Sequence, residues 1–98
     1  MDIKKLLDKD TLTIELNGRL DTLTSPTLQA ELAESLKNIK HLVFDFRDVL
    51  YVSSAGLRVI LMAQKEMNTK GDMIIKNCSQ EIKDLFEMTG FSEILNLK

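Results

Sequence analysis

The 98 residues include one cysteine, one histidine, one proline and four glycines, and each shortage closes off a class of protein. Cys78 has no partner for an internal disulfide, which fits a reducing compartment and leads us to expect a cytoplasmic protein. Proline and glycine are too few and too scattered to form a linker or a low-complexity tract. No apolar run approaches the ~20 residues that a membrane-spanning helix needs. The opening Met1-Asp2-Ile3-Lys4-Lys5 also lacks the apolar centre of a signal peptide. A net charge of -2 supplies no general attraction for nucleic acid or for an anionic membrane. No glycine-rich phosphate loop is present, since Gly56 has no glycine near it, and this disfavours a small nucleotide-binding or nucleotide-hydrolysing domain. Asp21, Asp45 and Asp48 show no fixed ligand spacing, so neither a metal nor a cofactor is expected.

What remains is the composition of an ordinary globular protein, with 44% hydrophobic and 29% charged residues. The length suits a single domain, 1–98, with one core. Leu12, Ile14 and Leu16 alternate with polar residues over Thr11–Asn17, the period of a half-buried strand. Ile3–Leu7 pairs with it as an antiparallel hairpin, and Gly18-Arg19-Leu20-Asp21 leaves the sheet. Ser25 caps a first helix with Pro26 at its first position, and Leu28, Leu32, Leu36 and Ile39 form its apolar stripe. His41–Phe46 is a strand, and Arg47–Val52 connects it to a second helix over Ala55–Asn68. That helix buries Val59, Ile60, Ala63 and Met67, and Gly71 ends it in the left-handed conformation. Met73–Lys76 is a strand, Ser79 caps a third helix built on Ile82, Leu85 and Phe86, and Ile94-Leu95 is a short last strand.

Strands alternating with helices predict a small mixed α/β sheet of four to five strands, mostly parallel, with right-handed crossovers. Strands covered on both faces are continuously apolar, whereas here Asp45 and Lys76 interrupt the pattern. The helices are therefore expected mainly on one face.

Ser53 and Ser54 stand where a strand's carboxyl end turns into the second helix, the edge at which open α/β sheets place their chemistry. One reading is helix capping, worth ~1 kcal/mol. The other is function. Nucleophilic catalysis is excluded, because a reactive serine needs a base within reach and His41, the sole histidine, lies at the far end of the preceding strand. Val52 also stands where a nucleophile elbow has its first glycine. A serine without a base can still be a substrate. Ser54, flanked by Ser53, Ala55 and Gly56, is open to another protein's active site, and phosphorylation there would add about -1.5 to -2 charges. Arg58, Leu61, Met62 and Lys65 gather on the helix side opposite the core, as a solvated face or as a docking surface beside Ser54.

The run Phe44-Asp45-Phe46-Arg47-Asp48-Val49-Leu50-Tyr51-Val52-Ser53-Ser54-Ala55-Gly56-Leu57-Arg58 resembles the signature of STAS domains, and specifically of anti-sigma factor antagonists. The likeness extends to Gly18-Arg19-Leu20-Asp21 and to Leu85-Phe86-Glu87-Met88-Thr89-Gly90-Phe91, so it covers nearly the whole chain. The resemblance implies a non-enzymatic protein that binds a kinase-type anti-sigma factor and frees its sigma factor, and a monomer is expected over a stable oligomer. That serine kinase would phosphorylate Ser54 and end the interaction, and a PP2C-type phosphatase would restore it. Asp21, Ser53, Ala55, Gly56, Leu57, Arg58, Leu61, Met62 and Lys65 are the expected partner-binding residues. Many relatives carry an aspartate where this chain has Ser53. The same domain also serves as an unphosphorylated, constitutive subunit in secretion or lipid-transport complexes.

Overall fold

A computed structural model, which describes residues 1–98, shows four strands and three helices in the order β1 (Asp2–Asp8), β2 (Thr11–Leu20), α1 (Ser25–Ser35), β3 (His41–Val52), α2 (Ser54–Asn68), β4 (Asp72–Lys76) and α3 (Gln80–Met88), closed by a 3-10 turn over Phe91–Glu93. The strands lie side by side in chain order, β1 antiparallel to β2 and the remaining neighbours parallel. This is the mixed, mostly parallel sheet that the alternation of elements predicts.

One face of the sheet carries the core. Leu12, Ile14 and Leu16 of β2, Leu42, Phe44 and Phe46 of β3, and Met73 and Ile75 of β4 are all buried. They join a single cluster with Leu28 and Leu32 of α1, Leu36 just past its end, Val59, Ile60, Ala63 and Met67 of α2, and Ile82 and Phe86 of α3. Phe46 meets Phe44 edge-on at 5.9 Å between ring centroids and lies 6.4 Å from Phe86, which fixes α3 against the sheet. The opposite face, with Thr13, Glu15, Val43, Asp45, Ile74 and Lys76, stays partly exposed. Helices on one face account for the strict alternation of β2.

β2 and β3 both run further than their patterns predict. Gly18, Arg19 and Leu20 remain in the sheet, paired with Val49, Tyr51 and Val52, so Arg47–Val52 is strand and not a connection. The register slips twice. Between Glu15↔Asp45 and Asn17↔Asp48, and again between Gly18↔Val49 and Arg19↔Tyr51, β3 spends one extra residue. Each bulge resets the inward-facing position. The buried residues of this half are therefore Phe46, Val49 and Val52, a spacing of three that hides a strand.

Three further expectations are corrected. Thr24 is the residue preceding α1, and Ser25 is buried inside its first turn, where its hydroxyl donates to the Asp21 carbonyl. Gly71 is not left-handed; a Cβ there would overlap the Lys40 carbonyl, so the close approach of two backbones demands glycine. Ile94-Leu95 is not a strand. The carboxyl-terminal segment instead meets β4 at one bridge, Ile75 with Leu97, held by Ile75 N–H to Asn96 O and Lys98 N–H to Ile75 O. Gly90, at φ +80°, does end α3 in the left-handed region.

Candidate functional site

The long β3 ends level with β2, and there the two chain segments lock. Ser53 N–H donates to the Leu20 carbonyl at 2.9 Å, and Gly56 lies directly over the same residue. A Cβ on Gly56 would stand 2.7 Å from the Leu20 carbonyl oxygen and 2.8 Å from its Cγ. Glycine is thus the residue that lets the start of α2 press onto the end of β2.

Ser53 and Ser54 divide the work that the sequence leaves open between them. Ser53 is the cap: its backbone is extended, its Oγ accepts from Gly56 N–H at 3.3 Å, and its carbonyl accepts the first helical hydrogen bond from Leu57. Serine is among the preferred cap residues, so Ser53 completes the start of the helix. Ser54 is the first helical residue, exposed, and its hydroxyl makes no hydrogen bond within the chain. No acidic side chain occupies the first turn of this 15-residue helix. The positive dipole end of α2 therefore has no counter-charge from the helix's own first turn, and Ser53 Oγ satisfies one of its leading amides.

Of the expected partner-binding residues, Arg58, Met62 and Lys65 are exposed and Leu61 is half-buried, all at helical spacing from Ser54 along one stripe of α2. Ser53 and Ala55 are half-buried at its head. Gly56 and Leu57 are buried, and they shape the surface from beneath without being part of it.

Asp21 sits in the neighbouring β2–α1 turn, one residue beyond the carbonyl that holds Ser53. Its Oδ1 accepts from Leu23 N–H at 3.0 Å and Thr24 N–H at 3.1 Å, and Oδ2 lies 3.7 Å from Arg19 Nε. The hydrogen bond from the Thr24 amide, more than any other favourable contact, holds its carboxyl below the usual carboxylate range. Arg19 in turn covers the Tyr51 ring at 4.4 Å, joining β2 to β3 just below the site. Two exposed leucines beside these turns escape sequence reasoning: Leu23 at 87% exposure and Leu50, the extra residue of the second bulge, at 73%. An isolated leucine in a polar stretch carries no periodic signal.

The remaining candidates resolve as structural. His41 Nδ1 lies 2.7 Å from Asp72 Oδ1 at the far end of β3, away from Ser54. Asp45 accepts from Arg47 N–H and Asn77 Nδ2. Cys78 is half-buried, and desolvation pushes its thiol up to about 11, the reverse of a reactive cysteine. No helix is long and apolar enough to cross a membrane.

Residues 2–98 match the STAS domain family. The anti-sigma-B factor antagonist of Listeria monocytogenes is 30% identical, over 93% of this chain and 82% of that protein. Among solved structures, the anti-sigma factor antagonist SpoIIAA in its unphosphorylated form superposes with a TM-score of 0.78 at 17% identity, over 99% of this chain and 87% of that one. SpoIIAA in its phosphorylated form superposes about as well, at 0.77 and 18% identity, over 99% and 91% of the two chains. A sulfate transporter family protein from Wolinella succinogenes gives 0.79 at 18% identity, over 94% of this chain and 76% of that one. A sheet with helices on one face, a glycine-packed turn at its edge and a match along nearly the full length place this chain in the STAS family.

Proposed function

We propose that this protein is an anti-sigma factor antagonist that binds a kinase-type anti-sigma factor while Ser54 is unmodified and releases it when the kinase phosphorylates that serine. The observation that carries the reading is the division of labour at the head of α2: Ser53 is committed to the cap, and Ser54 is exposed with a free hydroxyl. The relatives named as anti-sigma factor antagonists support the same reading. A phosphoryl group on Ser54 would meet the leading amides of α2, worth about 0.3–1 kcal/mol in favour of an anion there. The fold would tolerate the modification. A protein packed over Ser54, Arg58 and Met62 would instead have to bury a solvated dianion, and binding would be lost. A PP2C-type phosphatase would reset the switch. Nothing in this scheme asks the chain itself for catalysis.

Incubation with the cognate kinase and ATP tests the reading. One phosphoryl group is expected on the wild type, none on Ser54→Ala, and one on Ser53→Ala despite a stability loss of ~1 kcal/mol from the missing cap. Modification at Ser53 would move the acceptor by one residue. A second reading is a constitutive STAS subunit that is never phosphorylated; the sulfate transporter family protein shares the fold. That reading predicts partner binding with no phosphoryl transfer from any kinase.

A further inference from the structure

The sheet has two edges, and the chain treats them differently. The outer edge of β4 meets the carboxyl-terminal segment, with Ile75 N–H bonded to Asn96 O and Lys98 N–H to Ile75 O. The outer edge of β1 has no neighbour. β1 pairs with β2 without a bulge from Asp2↔Asn17 to Asp8↔Thr11 and contains no proline, so its backbone is a regular template for a further strand. Leu6 and Leu7 stand on it at 47% and 67% exposure. Lysines commonly blunt such an edge. Here Lys5 is drawn over the helix side instead, to Glu31 Oε2 at 2.6 Å and Ser35 Oγ at 3.3 Å.

Hydrogen-bond direction and charge together select one way for β1 to pair with a copy of itself. Lys9, at φ 57°, and Asp10 form a two-residue turn, which makes Asp8 and Thr11 a hydrogen-bonded pair. By alternation Lys4, Leu6 and Asp8 direct their N–H and C=O groups to β2, and Ile3, Lys5 and Leu7 direct theirs outward. A second β1 must therefore set outward residues opposite outward residues. An antiparallel two-fold centred on Lys4 or on Lys5 sets lysine against lysine, and one centred on Leu7 sets Lys5 against Lys9. Centring on Ile3 leaves Leu6 and Leu7 outside the contact. Centring on Leu6 sets Leu6 against Leu6 and, twice over, Lys4 against Asp8. Lys4 and Asp8 make no ion pair within the chain. Leu6 also ends a row on the helix-free face, Leu6, Thr13, Val43 and Ile74, which this register continues into the second copy.

We propose that β1 is a self-association edge, through which two copies join antiparallel about Leu6 and merge two four-stranded sheets into one. So short a strand contact makes a weak dimer in exchange with the monomer. Ser54 stays open in both copies, because Leu6 opposes Thr13 and Ser53 is bonded to Leu20 at the other end of β2.

Sedimentation equilibrium from micromolar to millimolar chain should show a monomer–dimer equilibrium. Lys4→Asp and Asp8→Lys should each weaken it about tenfold or more, with little change in Tm, since each sets like charges opposite one another twice. Mixed in equal amounts, the two variants should associate as well as wild type, because every opposed pair then joins a carboxylate to an amine. In a Cys78→Ala background, Leu6→Cys should oxidise to a disulfide-linked dimer faster than Leu7→Cys, whose twin lies diagonally across the pair. That comparison keeps the native charges and decides the matter if a charge variant fails to fold. A chain monomeric throughout the range would overturn the proposal and leave the edge to another protein's strand. Dimers untouched by either charge variant, no recovery on mixing, or cross-linking at Leu7 as fast as at Leu6 would overturn it equally.

Discussion

Ser53 and Ser54 carry the same hydroxyl and are used differently because the chain bends between them. Ser53 keeps an extended backbone that turns its Oγ back to the Gly56 amide, whereas Ser54 is already helical and its side chain is carried outward. Gly56 sets how closely this bend lies on the sheet. Gly56→Ala would place a methyl group against the Leu20 carbonyl and Val52 Cγ1, so α2 must lift at its amino end. We expect a stability loss of about 1–3 kcal/mol by denaturant titration, with reduced phosphorylation of Ser54 because the acceptor turn moves. Stability equal to wild type would show that the turn is not packed as described. These residue-level facts lie beneath the resemblance in the sequence. The motif Ser-Ser-Ala-Gly-Leu-Arg marks the place, but only the contact with Leu20 tells which glycine is there for space and which serine for capping.

At the scale of elements, whatever has a simple period is legible in the sequence. Leu28 and Leu32 of the α1 stripe, the buried arc Val59, Ile60, Ala63 and Met67, and the alternation of β2 lie where their spacing puts them, whereas Leu36 and Ile39 are buried past the end of α1, as its cap and in the turn that follows. The second half of β3 is illegible for a physical reason, since two bulges turn a period of two into Phe46, Val49 and Val52. Those bulges take up two residues of β3, so that Val52 pairs with Leu20 and Ser53 falls at the end of β2. The opposite ends of β3 and β4 are joined by His41 and Asp72, and the hydrogen bond that the imidazole donates to the Asp72 carboxylate raises the His41 pKa above its usual 6.5. A raised histidine pKa stabilises the fold fully below the unfolded value and loses that contribution as pH rises through the folded one. Wild type should therefore exceed Asp72→Asn in Tm at about pH 5.5, and the gap should close by about pH 9. A gap that widens with pH would refute the pairing. Screening keeps the effect small, because both side chains are exposed.

For the whole molecule, the arrangement keeps Ser54 apart from the core. One core holds the sheet to three helices, and Ser54 stands outside it, on a stripe of α2 that faces away from that core. Negative charge on Ser54 touches no buried group, so the free energy of folding has little reason to change, while any surface laid over it must desolvate the phosphate. The most direct test is to phosphorylate Ser54 stoichiometrically, then measure in parallel the Tm and the affinity for the anti-sigma factor. An unchanged Tm with affinity reduced about a hundredfold, the scale of burying one unpaired charge, is the expected result. Undiminished affinity of the phosphorylated chain, or its unfolding, would contradict the account.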